Sequence, residues 1–256
     1  MQAALLFLTR LPAGRIDGEP PPLGAAVWAF PLTGIVLALP AVLIGLVLAP
    51  ALGPHVAALG VVATLVILSG ALHEDGLADC ADGFLGGHDR ERRRAIMRDP
   101  TVGTYGVLAL AGSGLLRVLL VVALVAEGPA ALVTGVLAAA AFSRAAMALA
   151  WAALPAAPEV KARSQAKPGA SLSRMMGAPS LRDAGRSVGV AGVLLLIAAP
   201  FAGPLSIVAG LAAGALGALF LARSALRRIG GHTGDVLGAT QQCAEMGFLL
   251  AFAATI

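Results

Sequence analysis

Charge is scarce in this sequence, and so are cysteine and aromatic side chains. Of 256 residues only 12% are Asp, Glu, Lys or Arg, and Phe, Trp and Tyr together make up 4%. Soluble domains carry about 25% charged residues, so the supply here is about half of what a water-facing surface uses. So low a charge with so much apolar content also excludes a disordered chain. Two cysteines, Cys80 and Cys243, cannot build a disulfide framework, which excludes a stapled secreted domain. The apolar stretch Ala3 to Leu8 is shorter than a signal-peptide core and lacks a basic lead-in. It suits an interfacial anchor helix better than a cleaved leader.

What is present is apolar. Hydrophobic residues make up 58% of the chain, with 32 Gly and 16 Pro, and the mean hydropathy is +0.88. These values point to an all-α, polytopic integral membrane protein. The net charge of +4 does not call for nucleic acid, because excess Lys and Arg in membrane proteins serve to fix orientation.

A spanning helix needs about 20 mostly apolar residues. From Pro20 to Leu72 there is no Asp, Glu, Lys or Arg, and the run breaks at Gly53-Pro54. Spans are therefore expected over Val27–Leu48 and His55–Leu72. Others are expected over Tyr105–Ala126, from the Glu127-Gly128-Pro129 turn to Trp151, and as two helices within Ser187–Ala222 hinged near Pro200 and Gly203-Pro204. Val236–Ile256, which contains Glu245, would be the last of about six to seven. Basic residues alternate with this map: Arg10 and Arg15, then Arg90 to Arg98, then Lys161 to Arg186, then Arg223, Arg227 and Arg228, with none in the intervening loops. The alternation places the N-terminus and these loops in the cytoplasm. No internal repeat or separate soluble unit is evident, so residues 1–256 read as one membrane-embedded domain, with Pro155–Arg186 as its most flexible stretch.

The chemically informative segment runs from His73 to Gly83. Asp75, Asp79 and Asp82 are spaced i, i+4, i+7, which on a helix brings them within about 60° of one another. Three stacked carboxylates at a membrane helix end repel, and a cation or a retained proton must relieve them. Hard divalent cations suit such oxygens, and Mg²⁺ usually takes one or two carboxylates and completes its shell with water and substrate phosphates. The plain alternative is a solvated face paired with the arginines of Arg90–Arg98. Asp89–Met97 reads as a short amphipathic interfacial helix ended by Arg98-Asp99-Pro100. Its Arg92–Arg94 run suits lipid headgroups, and Arg98 suits phosphate. The stretch Gly230 to Gly238 is a Gly-rich turn into a helix, a geometry that also suits phosphate. Arg117 and Arg144 lie inside apolar spans, where a bare charge costs several kcal/mol. Arg144 could neutralise substrate phosphate or an aspartate, or pair with Glu127 or Glu245.

These segments, taken together, resemble the cobalamin synthase family, the adenosylcobinamide-GDP ribazoletransferases. The resemblance rests on Phe7-Leu8-Thr9-Arg10-Leu11-Pro12, Phe30-Pro31-Leu32-Thr33-Gly34, His73 to Asp79 with Asp82-Gly83, and Ile96-Met97-Arg98-Asp99 with Gly103-Thr104. Ser143-Arg144 and Gly230-Gly231 through Thr233-Gly234-Asp235 to Gly238-Ala239 complete it. It spans nearly the whole chain. It implies a bacterial or archaeal inner-membrane enzyme that joins adenosylcobinamide-GDP to α-ribazole, or to α-ribazole 5′-phosphate, with release of GMP. It further implies Mg²⁺ held by Asp75, Asp79 and Asp82, with Asp82 completing the shell or acting as base. Arg98 and Arg144 would act on phosphate, and His73, Asp99, Gly234 and Asp235 would bind substrate. The expected partners are these substrates and the bilayer, with a homo-oligomer compatible and nucleic acid excluded. The aspartate face also looks like an abbreviated form of the motif of CDP-alcohol phosphotransferases. No Ala-Arg pair follows Asp75-Gly76, however, and the distal Asp-x3-Asp is absent. A lipid-making enzyme of that kind is the alternative within enzymes, and a cation-coupled transporter is the alternative outside them.

Overall fold

The computed structural model describes residues 1–16, 21–158 and 177–256. Most of the stretch expected to be flexible, including Lys161, Arg163, Lys167 and Arg174, lies outside the described residues. Helix α1 spans Gln2–Leu8 and buries Ala4 and Leu8, in keeping with a short anchor. A 3₁₀ segment, Leu23–Ala29, leads into α2, Phe30–Ser69. At 40 residues, α2 would be about 60 Å long if straight, twice the apolar thickness of a bilayer. It is not straight. Gly53 adopts φ 82°, ψ 173°, and beyond it the chain folds back. A Cβ on Gly45 would meet Val61, and one on Gly60 would meet Leu48 and Ile44, so the two halves pack as a helical hairpin at the expected break.

Gly70 and Ala71 both take left-handed conformations, φ 65° and φ 55°, and turn the chain into α3, Leu72–Gly86. For the non-glycine Ala71 this is a strained position, held because both helices that flank it are packed. Helix α4, Arg90–Ile96, is capped by Asp89, whose side chain accepts from the Arg92 amide. Helices α5, Thr104–Glu127, and α6, Pro129–Ala153, meet at Gly128. Helices α7, Leu181–Ala202, and α8, Pro204–Arg228, meet at Gly203. Helix α9, Gly234–Ala253, closes the bundle. Among the described residues the helices are accompanied by only one isolated bridge, between Ala156 and His232.

Among the described residues five helical stretches are long and apolar enough to cross a membrane, the first being the hairpin together with its 3₁₀ lead-in. Their outer faces carry large exposed apolar side chains such as Ile67, Leu196 and Phe220, as expected for surfaces that face lipid. Helix α9 is not one of the five. It packs against α3, α5, α6 and α8, and its buried face includes Thr240, Gln241, Gln242 and Glu245. The last expected span is therefore a helix, but a polar one enclosed by its neighbours.

That enclosure is held by charge. Arg117 of α5 binds Glu74 of α3 at 2.7 Å and Glu245 of α9 at 2.9 Å, and Arg144 of α6 reaches the other Glu245 oxygen at 3.4 Å. Gln242 donates to Glu74 at 3.1 Å, and Gln241 donates to Glu245 at 2.6 Å. A guanidinium buried among apolar helices is tolerable only with partners of this kind. Below the quartet lies an apolar core that includes Leu37, Val61, Leu124, Leu132 and Phe252. Above it, α4 caps α8. Arg90, Arg93 and Arg94 donate to the carbonyls of Arg227, Arg228 and Ile229, groups that a helix C-terminus leaves without partners.

Arg117→Met strips Glu74 and Glu245 of their principal partner. The expected cost is about 3–5 kcal/mol, read as a lower Tm in detergent. Adding Glu74→Met, which leaves the Arg144–Glu245 pair balanced, is expected to recover more than half of the loss.

Candidate active site

At the end of the bundle where α2 turns into α3, α6 ends and α9 begins, a cavity of about 590 Å³ opens. Its polar side is formed by Asp75, Arg94, Arg98, Thr233 and Asp235. Helix α3 delivers Asp75 because Glu74, one residue earlier, is fixed inward by Arg117. Helix α9 delivers Asp235 from its first turn, which is capped by Thr233. The Thr233 hydroxyl accepts from the Val236 amide and donates to an Asp235 carboxylate oxygen. The two helices approach closely here. A Cβ on Gly76 would stand 2.6 Å from the Asp235 carbonyl oxygen and 3.0 Å from its Cα, so no side chain fits at Gly76. Gly231, at φ 159°, brings the Gly-rich turn against Pro155 and Ala157, where the His232 carbonyl accepts from the Ala157 amide and the His232 amide donates to the Pro155 carbonyl.

The aspartates differ in environment. Asp79 is half-buried, and its carboxyl is pushed up to about 7 by burial, with Asp235, Asp75 and Asp82 adding repulsion in that order. Burial, reinforced by Asp75 and opposed by the Thr233 hydrogen bond and by Arg98, also raises Asp235. The carboxylate charge on this face thus exceeds what the nearby arginines compensate. Asp82 is withdrawn from the cavity wall. Its oxygens accept from the amides of Gly103 at 2.7 Å and Gly106 at 2.9 Å, so it caps the start of α5 and ties it to α3. A Cβ at either glycine would collide with that carboxylate. Among the described residues no three His, Cys, Asp or Glu side chains form a ready-made metal cage.

The other expected site residues divide in the same way. Arg98, Gly234 and Asp235 line the cavity, as does His73. His73 is 2% exposed, and neither of its nitrogens has a partner among the described residues. Burial, with Arg144 and Arg117 nearby, holds its pKa well below the ordinary imidazole value, so it is neutral. Asp99 is not brought in. It is exposed, and its carboxylate accepts from the amide and hydroxyl of Thr101. Arg144 does not line the cavity either, being committed to Glu245 and the Ala140 carbonyl. Of the two roles open to it, the ion pair with Glu245 is the one the structure forms. Arg93 and Arg94, expected at lipid, are turned inward onto α8. Arg94 reaches the cavity, as does His232, which had no metal partner in the sequence to single it out.

The family model of cobalamin-5-phosphate synthase matches residues 1–253. A Sinorhizobium medicae protein named adenosylcobinamide-GDP ribazoletransferase is 41% identical over 265 residues, covering 99% of this chain and 95% of the relative. Proteins of the same name from Azorhizobium caulinodans and Bradyrhizobium diazoefficiens are each 42% identical, covering 97% and 99% of this chain and 92% and 93% of the relatives. No solved structure matches the chain.

The raised Asp79 gives a sign to the pH dependence of stability. A carboxyl that titrates higher in the folded state binds its proton more tightly there. Stability therefore falls as pH rises from the ordinary carboxylate range through about 7. Asp79→Asn removes this penalty. In metal-free buffer it is expected to raise Tm above pH 7 and to leave Tm unchanged near the ordinary carboxylate pKa. A variant equally stabilised at both pH values would show that Asp79 does not carry the effect.

Proposed function

The chain belongs to the cobalamin-5-phosphate synthase family, and we propose that its cavity carries out the transfer for which its relatives are named, joining adenosylcobinamide-GDP to α-ribazole or α-ribazole 5′-phosphate. The ribose 3′-hydroxyl oxygen bonds to the phosphorus that bears cobinamide. The bridging bond to GMP breaks, GMP leaves with the electron pair, and the hydroxyl gives up its proton. The observation that carries the reading is the meeting of Asp75 and Asp235 with Arg94 and Arg98 in one cavity at a bundle end.

Displacement at a phosphoanhydride needs charge neutralised on the diphosphate and an alcohol held in line. Arg98 lies at the open edge of the cavity and suits the diphosphate as a bidentate donor. Arg94 adds a second positive charge from a position fixed by the Ile229 carbonyl. Asp235 has one oxygen engaged by Thr233, and the remainder of its carboxylate can orient the attacking hydroxyl and receive its proton. The residues fit a hard divalent cation shared with substrate better than a resident ion in a protein cage. Asp75 and Asp79 would hold Mg²⁺, which when bound would neutralise the diphosphate. Asp82 acts here as a positioning residue, fixing α3 to α5 through backbone amides. Arg144 positions α9 through Glu245.

The cavity shares its end of the bundle with Arg90–Arg98 and Arg223–Arg228, whereas the turns at Gly53, Gly128 and Gly203 carry no Lys or Arg. On that basis we place the cavity on the cytoplasmic side of the cell membrane. This position at helix ends also suits a transferase better than a transporter, whose sites lie at the midplane.

The test is turnover by the full chain in nanodiscs, supplied with adenosylcobinamide-GDP, α-ribazole 5′-phosphate and Mg²⁺, with GMP and corrinoid product read by mass spectrometry. Asp75→Ala and Arg98→Ala are each expected to lower kcat by about 10²-fold or more, and EDTA to abolish turnover. GMP release that survives EDTA, or Asp75→Ala at the wild-type rate, would overturn the assignment.

A further inference from the structure

Helices α4 and α8 carry more arginine than their own packing engages. Arg93 and Arg94 donate to the carbonyls of Arg228 and Ile229, and Arg228 donates to the Phe84 carbonyl and lies over the Phe84 ring. Arg90, Arg223 and Arg227 are different. All three are exposed, and among the described residues none has a carboxylate within 4 Å. Asp89, beside Arg90, is committed to the α4 cap and to His88. Even with the neighbouring Glu91 counted, the group keeps a net positive charge.

The fold gathers these three side chains on one surface. Arg223 and Arg227 stand one turn apart on α8, and Arg90 joins them from α4, its Nε donating to the Arg227 carbonyl at 3.4 Å. The same face of α8 continues toward the bilayer interior. Leu216, Phe220, Arg223 and Arg227 follow at i, i+4, i+7 and i+11, which on a helix keeps them within about 60° of one another. Leu216 and Phe220 are 66% and 70% exposed. Along the axis Arg223 lies about 4.5 Å and Arg227 about 10 Å above Phe220. An apolar stripe thus runs directly into a trio of unpaired guanidinium groups at the end of a spanning helix.

We propose that this face binds an anionic phospholipid, with the headgroup phosphate among Arg90, Arg223 and Arg227 and an acyl chain along Phe220 and Leu216. Guanidinium groups are suited to phosphate oxygens, which they engage through paired, charge-assisted hydrogen bonds. An anion from the aqueous phase would meet the arginines alone, whereas a lipid also covers the stripe beneath them. A zwitterionic headgroup brings a cation that the trio repels, so a lipid of net negative charge is preferred. Lipid contact, expected from the sequence at Arg92–Arg94, therefore falls on Arg90 and on α8. The phosphate bridges two helices. Helix α4 buries none of its residues fully and is held to α8 by arginine–carbonyl bonds, yet it carries Arg94 to the cavity. A lipid at this site steadies one wall of the cavity without touching it, whatever reaction the cavity performs.

Full-length protein stripped of lipid in detergent would be offered phosphatidylglycerol, phosphatidylcholine or inorganic phosphate, with lipid retention read by native mass spectrometry and Tm followed alongside. Phosphatidylglycerol is expected to be retained, and to raise Tm, at concentrations where phosphatidylcholine is not. Arg223→Gln combined with Arg227→Gln is expected to weaken its binding roughly tenfold or more, with Tm in the absence of lipid unchanged. Arg15→Gln combined with Arg92→Gln removes two exposed charges outside this face and is expected to leave binding within about twofold. Equal retention of the two lipids by the wild-type protein, or equal weakening in the two double variants, would overturn the site in favour of diffuse attraction. A Tm rise with inorganic phosphate that matches phosphatidylglycerol would overturn the lipid in favour of a free anion. In nanodiscs, amide hydrogen exchange across Arg90–Ile96 is expected to slow when phosphatidylglycerol replaces phosphatidylcholine. Equal slowing in the Arg223→Gln, Arg227→Gln protein would overturn the bridge to α4.

Discussion

Four paired charges, three of them buried and Glu74 partly so, organise this protein. Arg117, Arg144, Glu74 and Glu245 come from α5, α6, α3 and α9, sum to zero, and lie where an unpaired charge could not persist. Meeting that condition requires the four helices to converge at one depth, with Gln241 and Gln242 supplying further hydrogen bonds. The consequence for the site is rotational. With Glu74 turned inward, the residues on either side of it, His73 and Asp75, both reach the cavity. A structural ion pair thus sets the aim of the side chains that would do chemistry.

Much of this was legible in the sequence. The charge-free run with its Gly53-Pro54 interruption gave the helical hairpin, and the i, i+4, i+7 aspartates gave a carboxylate cluster that repels as expected. What the pattern could not show was how the members of that cluster differ. Asp82 follows Asp79 by three residues on a similar face, but its partners are amides at Gly103 and Gly106, and amides carry no signature in a sequence. Arg93 and Arg94 read as lipid ligands because the carbonyls they cap belong to α8, more than a hundred residues away. The aromatic cluster beside the cavity was hidden for a similar reason. Phe7, Phe30 and Trp151 are each unremarkable in an apolar segment, and only the fold places them together.

The division of the cavity follows from the membrane. Its mouth uses the polar helix ends, where arginines and carboxylates can be hydrated until substrate displaces the water. Its floor uses the interior of the bundle, which is apolar because the chain must be apolar to span. A cavity set at the end of a membrane bundle therefore combines a charged rim with an apolar wall without further specialisation.

Helix α9 carries a further consequence, in the order in which the protein is made. It leaves the ribosome after the helices it pairs with, and with Gln241, Gln242 and Glu245 on one face it is too polar to partition into lipid by itself. Its route into the membrane is through the helices already there, whose arginines await Glu245. Until α9 arrives, Arg144 has no carboxylate partner and Arg117 has only Glu74. The arrival of α9 is then a step that is both insertion and assembly. A chain stopped short of that step would present uncompensated positive charge inside the bilayer, a state that membrane quality control is built to remove.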